Sequence, residues 1–335
     1  MYKNTYHSTE PFILESGEQL PELTIVYHTS APEYNGQKVV WICHALTANS
    51  NPAEWWEVMV GPGRCFDPKE CFIVCANILG SCYGTTGPLS VDPATGVPYF
   101  DHFPIVSVRD MVLAHHILCK HLNISEIHIV VGASIGGFQA LEYAISYPQL
   151  CKHLILIACN ARISPWGTAY NESQRMAILA DPTYKERRLG AGETGLAVAR
   201  AIALLSYRSY EGYCLTQAEP DPDTFLSTKA ATYQQYQGEK LRRRFNAYSY
   251  VSLTKTFDTH NVGRGRGGVE KALASIQSKT LCIGIISDEL FPPQEVEFMA
   301  QHIPGAHYAT LHSHFGHDGF LLEWKALTDI IQNFQ

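Results

Sequence analysis

Short apolar, β-branched runs recur through the first half of the chain with helix-like stretches between them. This alternation constrains the fold more than any other feature. Leu23–Tyr27, Val39–Cys43, Cys71–Ala76, Ile127–Val131 and Leu154–Ala158 all read as strands. The later runs are almost continuously apolar, as suits parallel strands buried on both faces. Val108–Leu122 and Gly137–Tyr147 read as helices. Alternating β and α elements predict a mostly parallel sheet flanked by helices, an α/β fold. The texture changes near Ala161: residues 161–265 hold few strand-like runs and many helix formers. The strand pattern resumes at Thr280–Ile286 and Tyr308–Leu311 and is followed by a terminal helix, Leu321–Asn333. The expected organisation is therefore a core of residues 1–160 and 266–335 with a helical insertion, 161–265, capping the C-terminal edge of the sheet. The RGRGG at 264–268 is expected to supply a flexible re-entry, and the LRRRF at 241–245 reads as a solvated helix face.

Composition narrows the function. With 335 residues, 46% of them hydrophobic and 17% charged, the chain can build a sizeable core. Its net charge is −7 and it has no basic block, so it lacks the electrostatic footprint of a nucleic-acid partner. The 10 cysteines are scattered, with no CxxC, and several lie inside apolar runs. Reduced, structural thiols in a cytoplasmic protein are expected. The opening MYKNTYHSTEPF has no apolar signal core, and no stretch approaches the ~20 apolar residues of a membrane span, so a soluble protein with no membrane partner is expected.

The sharpest local signal is Gly132-Ala133-Ser134-Ile135-Gly136-Gly137, which follows the strand IHIVV and opens a helix. G-x-S-x-G in that context lets the chain turn sharply and presents the serine hydroxyl above the sheet. The helix N-terminus behind it offers free N–H groups to a developing oxyanion. A serine hydroxyl is a poor nucleophile until a neighbouring base takes its proton. In this arrangement the acid and the histidine follow the nucleophile in the chain. Asp288 stands at the end of the strand TLCIGIIS, with Glu289 as the fallback acid. After the last strand come His312, His314 and His317, and the flanking Gly316 and Gly319 place the base at His317. The His spacing is not read as a metal site, because no carboxylate motif accompanies it. A second oxyanion donor should come from the loop after an early strand, His44-Ala45-Leu46-Thr47. The N–H groups of Leu46 and Ile135 are the expected pair, and His44, ahead of the nucleophile in the chain, is given a structural role.

The blocks CHALTANS, WWEVMVGPG, NILGSCYGTTGP, GASIGGFQALEYA, YQGEKLRRRFNAYSY, HNVGRGRGG, SDELFPP and GHDGFL together resemble the homoserine O-acetyltransferases, from about residue 20 to residue 325. The resemblance implies an α/β-hydrolase fold with a helical lid and a homodimer. It further implies acyl-CoA (acetyl-CoA first) as donor co-substrate, with no tightly bound cofactor and no metal, L-homoserine as acceptor, and a role in methionine biosynthesis. The family's nucleophile, acid and base fall on Ser134, Asp288 and His317. Its acceptor ligands fall on Arg200 and Tyr207, two helical turns apart, and on Asp318 beside the base. Guanidinium for an α-carboxylate and carboxylate for an α-ammonium suit an amino-acid acceptor. The chain departs from the family in HALTANSN, where Ala48 replaces the usual glycine, and in Leu89-Ser90-Val91, where relatives commonly carry two serines. The triad would be the same for acetyl or succinyl donors and for homoserine or serine acceptors. A plain esterase or thioesterase is the rival from another enzyme class.

Overall fold

In the computed structural model, which describes residues 1–226 and 228–334, ten strands are formed. They are β1 (Tyr2–Ser8), β2 (Phe12–Ile13), β3 (Gln19–Leu20), β4 (Leu23–Thr29), β5 (Val39–Cys43), β6 (Phe72–Ala76), β7 (Ile127–Ala133), β8 (Cys151–Ile157), β9 (Lys279–Ile285) and β10 (His307–Leu311). Eight of them make one sheet in the order β1-β4-β6-β5-β7-β8-β9-β10, while β2 and β3 pair separately. From β6 to β10 the strands run parallel; β4 is antiparallel to both β1 and β6. Every residue of β5 and β6 is buried, in keeping with their unbroken apolar sequence. The strand β1 has no such signature. Its YKNTYHS is half-exposed at the sheet edge, and it went unread in the sequence for that reason.

Side chains alternate between two apolar layers. Trp41 and Leu154 point to one layer, Ile42 and Ile155 to the other. The connecting helices α1 (Pro52–Trp55), α2 (Val108–His121) and α3 (Ile135–Ser146) belong to the first half of the chain. Ser107 starts α2 with a reciprocal capping box to Asp110. After β8 come α4 (Pro165–Leu179), α5 (Glu193–Tyr207), α6 (Tyr210–Gln217), α7 (Lys229–Arg242), α8 (Ala247–Asp258) and α9 (Val269–Leu273). Then α10 (Pro293–His302) packs beside β9, and α11 (Gly319–Leu322) and α12 (Trp324–Phe334) close the chain. The last two correct the single terminal helix expected from the sequence. Glu323 leaves the helical region (φ −90°, ψ 44°), so the chain turns and α12 buries Leu327, Ile331 and Phe334 against the sheet's second layer. No helix among the described residues is long and apolar enough to cross a membrane.

The re-entry at 264–268 also differs from expectation. Its glycines do adopt positive φ, but its arginines are tied down. Arg266 forks onto the buried Glu142 of α3 at 2.8 and 2.5 Å, and Arg264 meets Glu15 at 2.9 Å. Arg109 joins the same cluster through Glu15 at 2.9 Å. The segment is clamped to the core by charge-assisted bonds rather than left free.

Candidate active site

The strand order reverses at β5, whose neighbours β6 and β7 lie on opposite sides, and ligands of open α/β sheets bind outside the carboxyl ends at such a point. The register pairs Cys43 with Gly132, so the loop leaving β5 and the turn leaving β7 emerge side by side. That turn places Ser134 at φ 59°, ψ −130°, a backbone conformation that a residue with a Cβ enters only under constraint. Its glycines are demanded by close approach. A Cβ on Gly132 would lie 2.1 Å from the Gly136 carbonyl oxygen, and one on Gly136 would lie 2.2 Å from that of Cys43. Those contacts press the N-terminus of α3 against the end of β5.

Asp288 and His317 come from the far half of the chain and meet here. The His317 Nδ1 stands 2.7 Å from Asp288 Oδ2, and both residues are buried. The other carboxylate oxygen of Asp288 accepts the Leu290 and Phe291 N–H groups at 2.9 and 3.0 Å, which fixes the acid. Burial by itself would lower the His317 pKa, but the Asp288 charge and hydrogen bond, with Asp318 nearby, turn the net shift upward. The alternatives named from the sequence lie elsewhere. Glu289 and His312 are exposed, and His314 points out to Glu211 at 2.9 Å. At Gly316 φ is +65° and a Cβ would stand 2.7 Å from the Ser209 nitrogen, so the His317 loop packs tightly on the turn between α5 and α6.

The loop expected to supply an oxyanion donor is built around one peptide unit. The Ala45 carbonyl accepts His44 Nδ1–H at 2.8 Å and the Ala48 N–H at 3.0 Å. The same planar unit carries the Leu46 N–H, which must therefore point the opposite way. The other nitrogen of His44 accepts the Ile78 N–H at 3.2 Å, so both its roles are fixed, and burial pushes its pKa down to about 4. The imidazole is a neutral brace. Among the described residues, neither the Leu46 nor the Ile135 N–H donates to a protein acceptor.

A cavity of about 500 Å³ joins these parts; Ser134, His317, Leu46, Arg200, Tyr207 and Asp318 are all on its wall. The Arg200 guanidinium carbon lies 5.5 Å from the centre of the Tyr207 ring, and that ring is 5.7 Å from the imidazole of His317. Asp318 is not a bare carboxylate, since Arg208 Nε sits 3.1 Å from its Oδ2. Sequence reading missed Arg208, and it missed Tyr83 and Arg244 on the same cavity wall. The run LRRRF is only partly the solvated face expected. Arg242 pairs with Glu239 at 2.7 Å within α7, whereas Arg244, just past the helix and exposed overall, bonds the Tyr83 hydroxyl at 2.7 Å. Nothing in three consecutive arginines marks which one leaves the helix.

Residues 38–323 match the family model of the α/β hydrolase fold. Over 337 residues the chain is 42% identical to a homoserine O-acetyltransferase of Cyclobacterium marinum, covering 100% of this chain and 95% of that protein. Among solved structures, the homoserine O-acetyltransferase from Bacillus anthracis superposes with a TM-score of 0.91 at 22% identity, over 99% of this chain and 97% of that one. Esterase E22 superposes with a TM-score of 0.90 at 23% identity, over 99% of both chains. At such identities the two structures speak for the fold alone, and that fold carries transferases and hydrolases alike.

Proposed function

Because this chain belongs to the homoserine O-acetyltransferase family, within the α/β-hydrolase fold, we propose that it moves an acetyl group from acetyl-CoA to the hydroxyl of L-homoserine through acetyl-Ser134. In the first half-reaction His317 takes the Ser134 proton as the hydroxyl oxygen bonds to the thioester carbonyl. The oxyanion rests on the Leu46 and Ile135 N–H groups. The C–S bond then breaks and CoA leaves as the thiol with the proton from His317. In the second, the homoserine hydroxyl gives its proton to His317 and bonds to the acyl carbon; the ester to Ser134 breaks, and the proton returns to the serine. Asp288 keeps the imidazole in the required tautomer and stabilises its cationic form. The product, an O-acyl amino acid, belongs to methionine biosynthesis in the family reading.

The observation that carries this reading over an esterase is the company Ser134 keeps. One cavity holds the serine, the histidine, a guanidinium and a carboxylate. Arg200 suits the acceptor's α-carboxylate, with Tyr207 beside it, and Asp318 suits its ammonium. An acceptor held there is at high effective concentration against water. The helical block 161–265 is the lid that supplies Arg200 and Tyr207 and keeps the site dry. The chain would work as a homodimer with no resident cofactor, in the cytoplasm. Exposed apolar side chains on the lid, Val198 and Leu205 on one face of α5 among them, support self-association.

The deciding experiment is a CoA-release assay crossing acetyl- and succinyl-CoA with homoserine and serine, with product identified by mass. Acetyl-CoA with homoserine should give the highest turnover. Equal CoA release with no amino acid present would mark the chain as a thioesterase.

A further inference from the structure

Three chain segments that are remote in sequence meet behind the oxyanion loop. Arg244 lies in the short link between α7 and α8, and its neighbour Phe245 is buried with its ring 5.9 Å from that of Tyr83. Asn246 caps α8 through the Ser249 N–H at 2.8 Å, so the link is held on both sides of Arg244. The Arg244 Nη1 donates to the Thr47 carbonyl and, at 2.7 Å, to the Tyr83 hydroxyl. Its Nη2 donates to Thr47 Oγ1 at 3.3 Å. Tyr83 is itself placed by Asn77, whose side-chain amide donates to the Tyr83 carbonyl at 3.1 Å.

The Thr47 carbonyl belongs to the peptide unit whose N–H, on Ala48, donates to the Ala45 carbonyl at 3.0 Å. Arg244 thus grips one end of a planar unit, and the other end orients the peptide that carries the Leu46 N–H. His44 braces that peptide from the sheet side at 2.8 Å, and Arg244 braces it from the helical insertion. Without the guanidinium, the Thr47–Ala48 peptide keeps the Ala48 N–H bond to Ala45 and only a long 3.5 Å bond from the Tyr83 hydroxyl to the Thr47 carbonyl, so the oxyanion donor is held less firmly.

We propose that Arg244 is a positioning residue of the oxyanion hole, reaching from the helical insertion to hold Leu46 N–H on target in both half-reactions. The proposal rests on the reading of Ser134 and Leu46 given above. Its position on the cavity wall offers a competing role, a direct contact to the anionic CoA tail, and the two roles separate cleanly with p-nitrophenyl acetate. That small ester acylates serine through the same oxyanion and has no CoA tail.

Removing an oxyanion donor costs ~10²–10³-fold, so displacing one should cost less. R244M should therefore slow the p-nitrophenolate burst about 10–100-fold and slow acetyl transfer from acetyl-CoA by a similar factor. KM for acetyl-CoA and homoserine should stay within about threefold, and the thermal midpoint should hold. R244K, which can still donate to the Thr47 carbonyl but cannot fork to Tyr83, should fall between R244M and wild type on the ester. A wild-type burst in R244M overturns the proposal, above all if KM for acetyl-CoA rises, which would assign the residue to the donor. Should R244M fold poorly, R244K decides alone, and a full wild-type burst there overturns it. If the wild-type chain forms no acetyl-Ser134 from the ester, the reading of Ser134 fails first and this proposal with it.

Discussion

His317 can take a proton only when neutral, and its surroundings set the pH at which that happens. Burial pulls its pKa down; Asp288, at 2.7 Å, more than restores it, so the acid limb of activity should lie above the pH of an ordinary imidazole. In D288N most of the upward pull is gone, leaving only Asp318 to oppose burial. The limb should then shift to lower pH, while turnover falls roughly 10³–10⁴-fold from loss of the tautomer and of charge stabilisation. A kcat/KM against pH profile of both proteins reads this directly; an unmoved limb in D288N would contradict it. H312A and H314A should retain most activity, since both rings face solvent. In the proposed mechanism Arg200 acts at a later stage. Its charge-assisted bond to the acceptor is worth ~1.5–3 kcal/mol, so R200A should lose about 10–150-fold in efficiency toward homoserine while Ser134 acylation is spared. Single-turnover acylation beside product partitioning measures both, and the ratio of hydrolysis to transfer should rise. The meeting of Ser134, Asp288 and His317 was legible because each follows the end of a strand, and strands announce themselves by apolar runs. Arg208 and Arg244 were not, because their partners Asp318 and Thr47 become neighbours only after the helices pack.

At the scale of elements, the apolar strands of the parallel sheet were readable and the half-exposed β1 was not. The clearest misreading concerns the glycine-rich stretch at 264–268. Glycine and arginine in alternation suggest a loose tether, yet Glu142, buried in α3, waits for that guanidinium. Depriving a buried carboxylate of its partner is destabilising by ~3–5 kcal/mol. Arg266 is a quarter exposed and Arg109 remains 3.8 Å from Glu142, so R266M should cost less, about 2 kcal/mol. Urea denaturation should show this as a lower midpoint with an unchanged slope. A variant as stable as wild type would mean that the clamp is dispensable.

The whole molecule sets a folded sheet with two apolar layers beneath a helical block whose outer surface is less well covered. Val198, Leu205, Leu215 and Tyr236 are each at least half exposed. Large exposed apolar side chains gathered on one block mark association surfaces. In the proposed homodimer, V198E together with L205E should convert a two-chain particle to a one-chain particle in light scattering after size exclusion. A wild-type chain already monomeric at assay concentration would remove that proposal. No sequence pattern could have located such a face, because Val198 and Leu205 have the same helical spacing as core positions.

Chain order gives the register at β5 and β7 one more consequence. The turn at Ser134 and the loop at Leu46 lie in the first half of the chain, whereas Asp288 and His317 belong to the last stretch of the polypeptide. A ribosome therefore releases the proposed nucleophile and the Leu46 loop long before the proposed proton acceptor exists. On the proposed mechanism, the nascent chain through that interval holds a serine with no base to activate it. On that mechanism, reactivity waits until β9 and β10 dock and bring Asp288 and His317 together, so the last strands would act as the safety catch of their own synthesis.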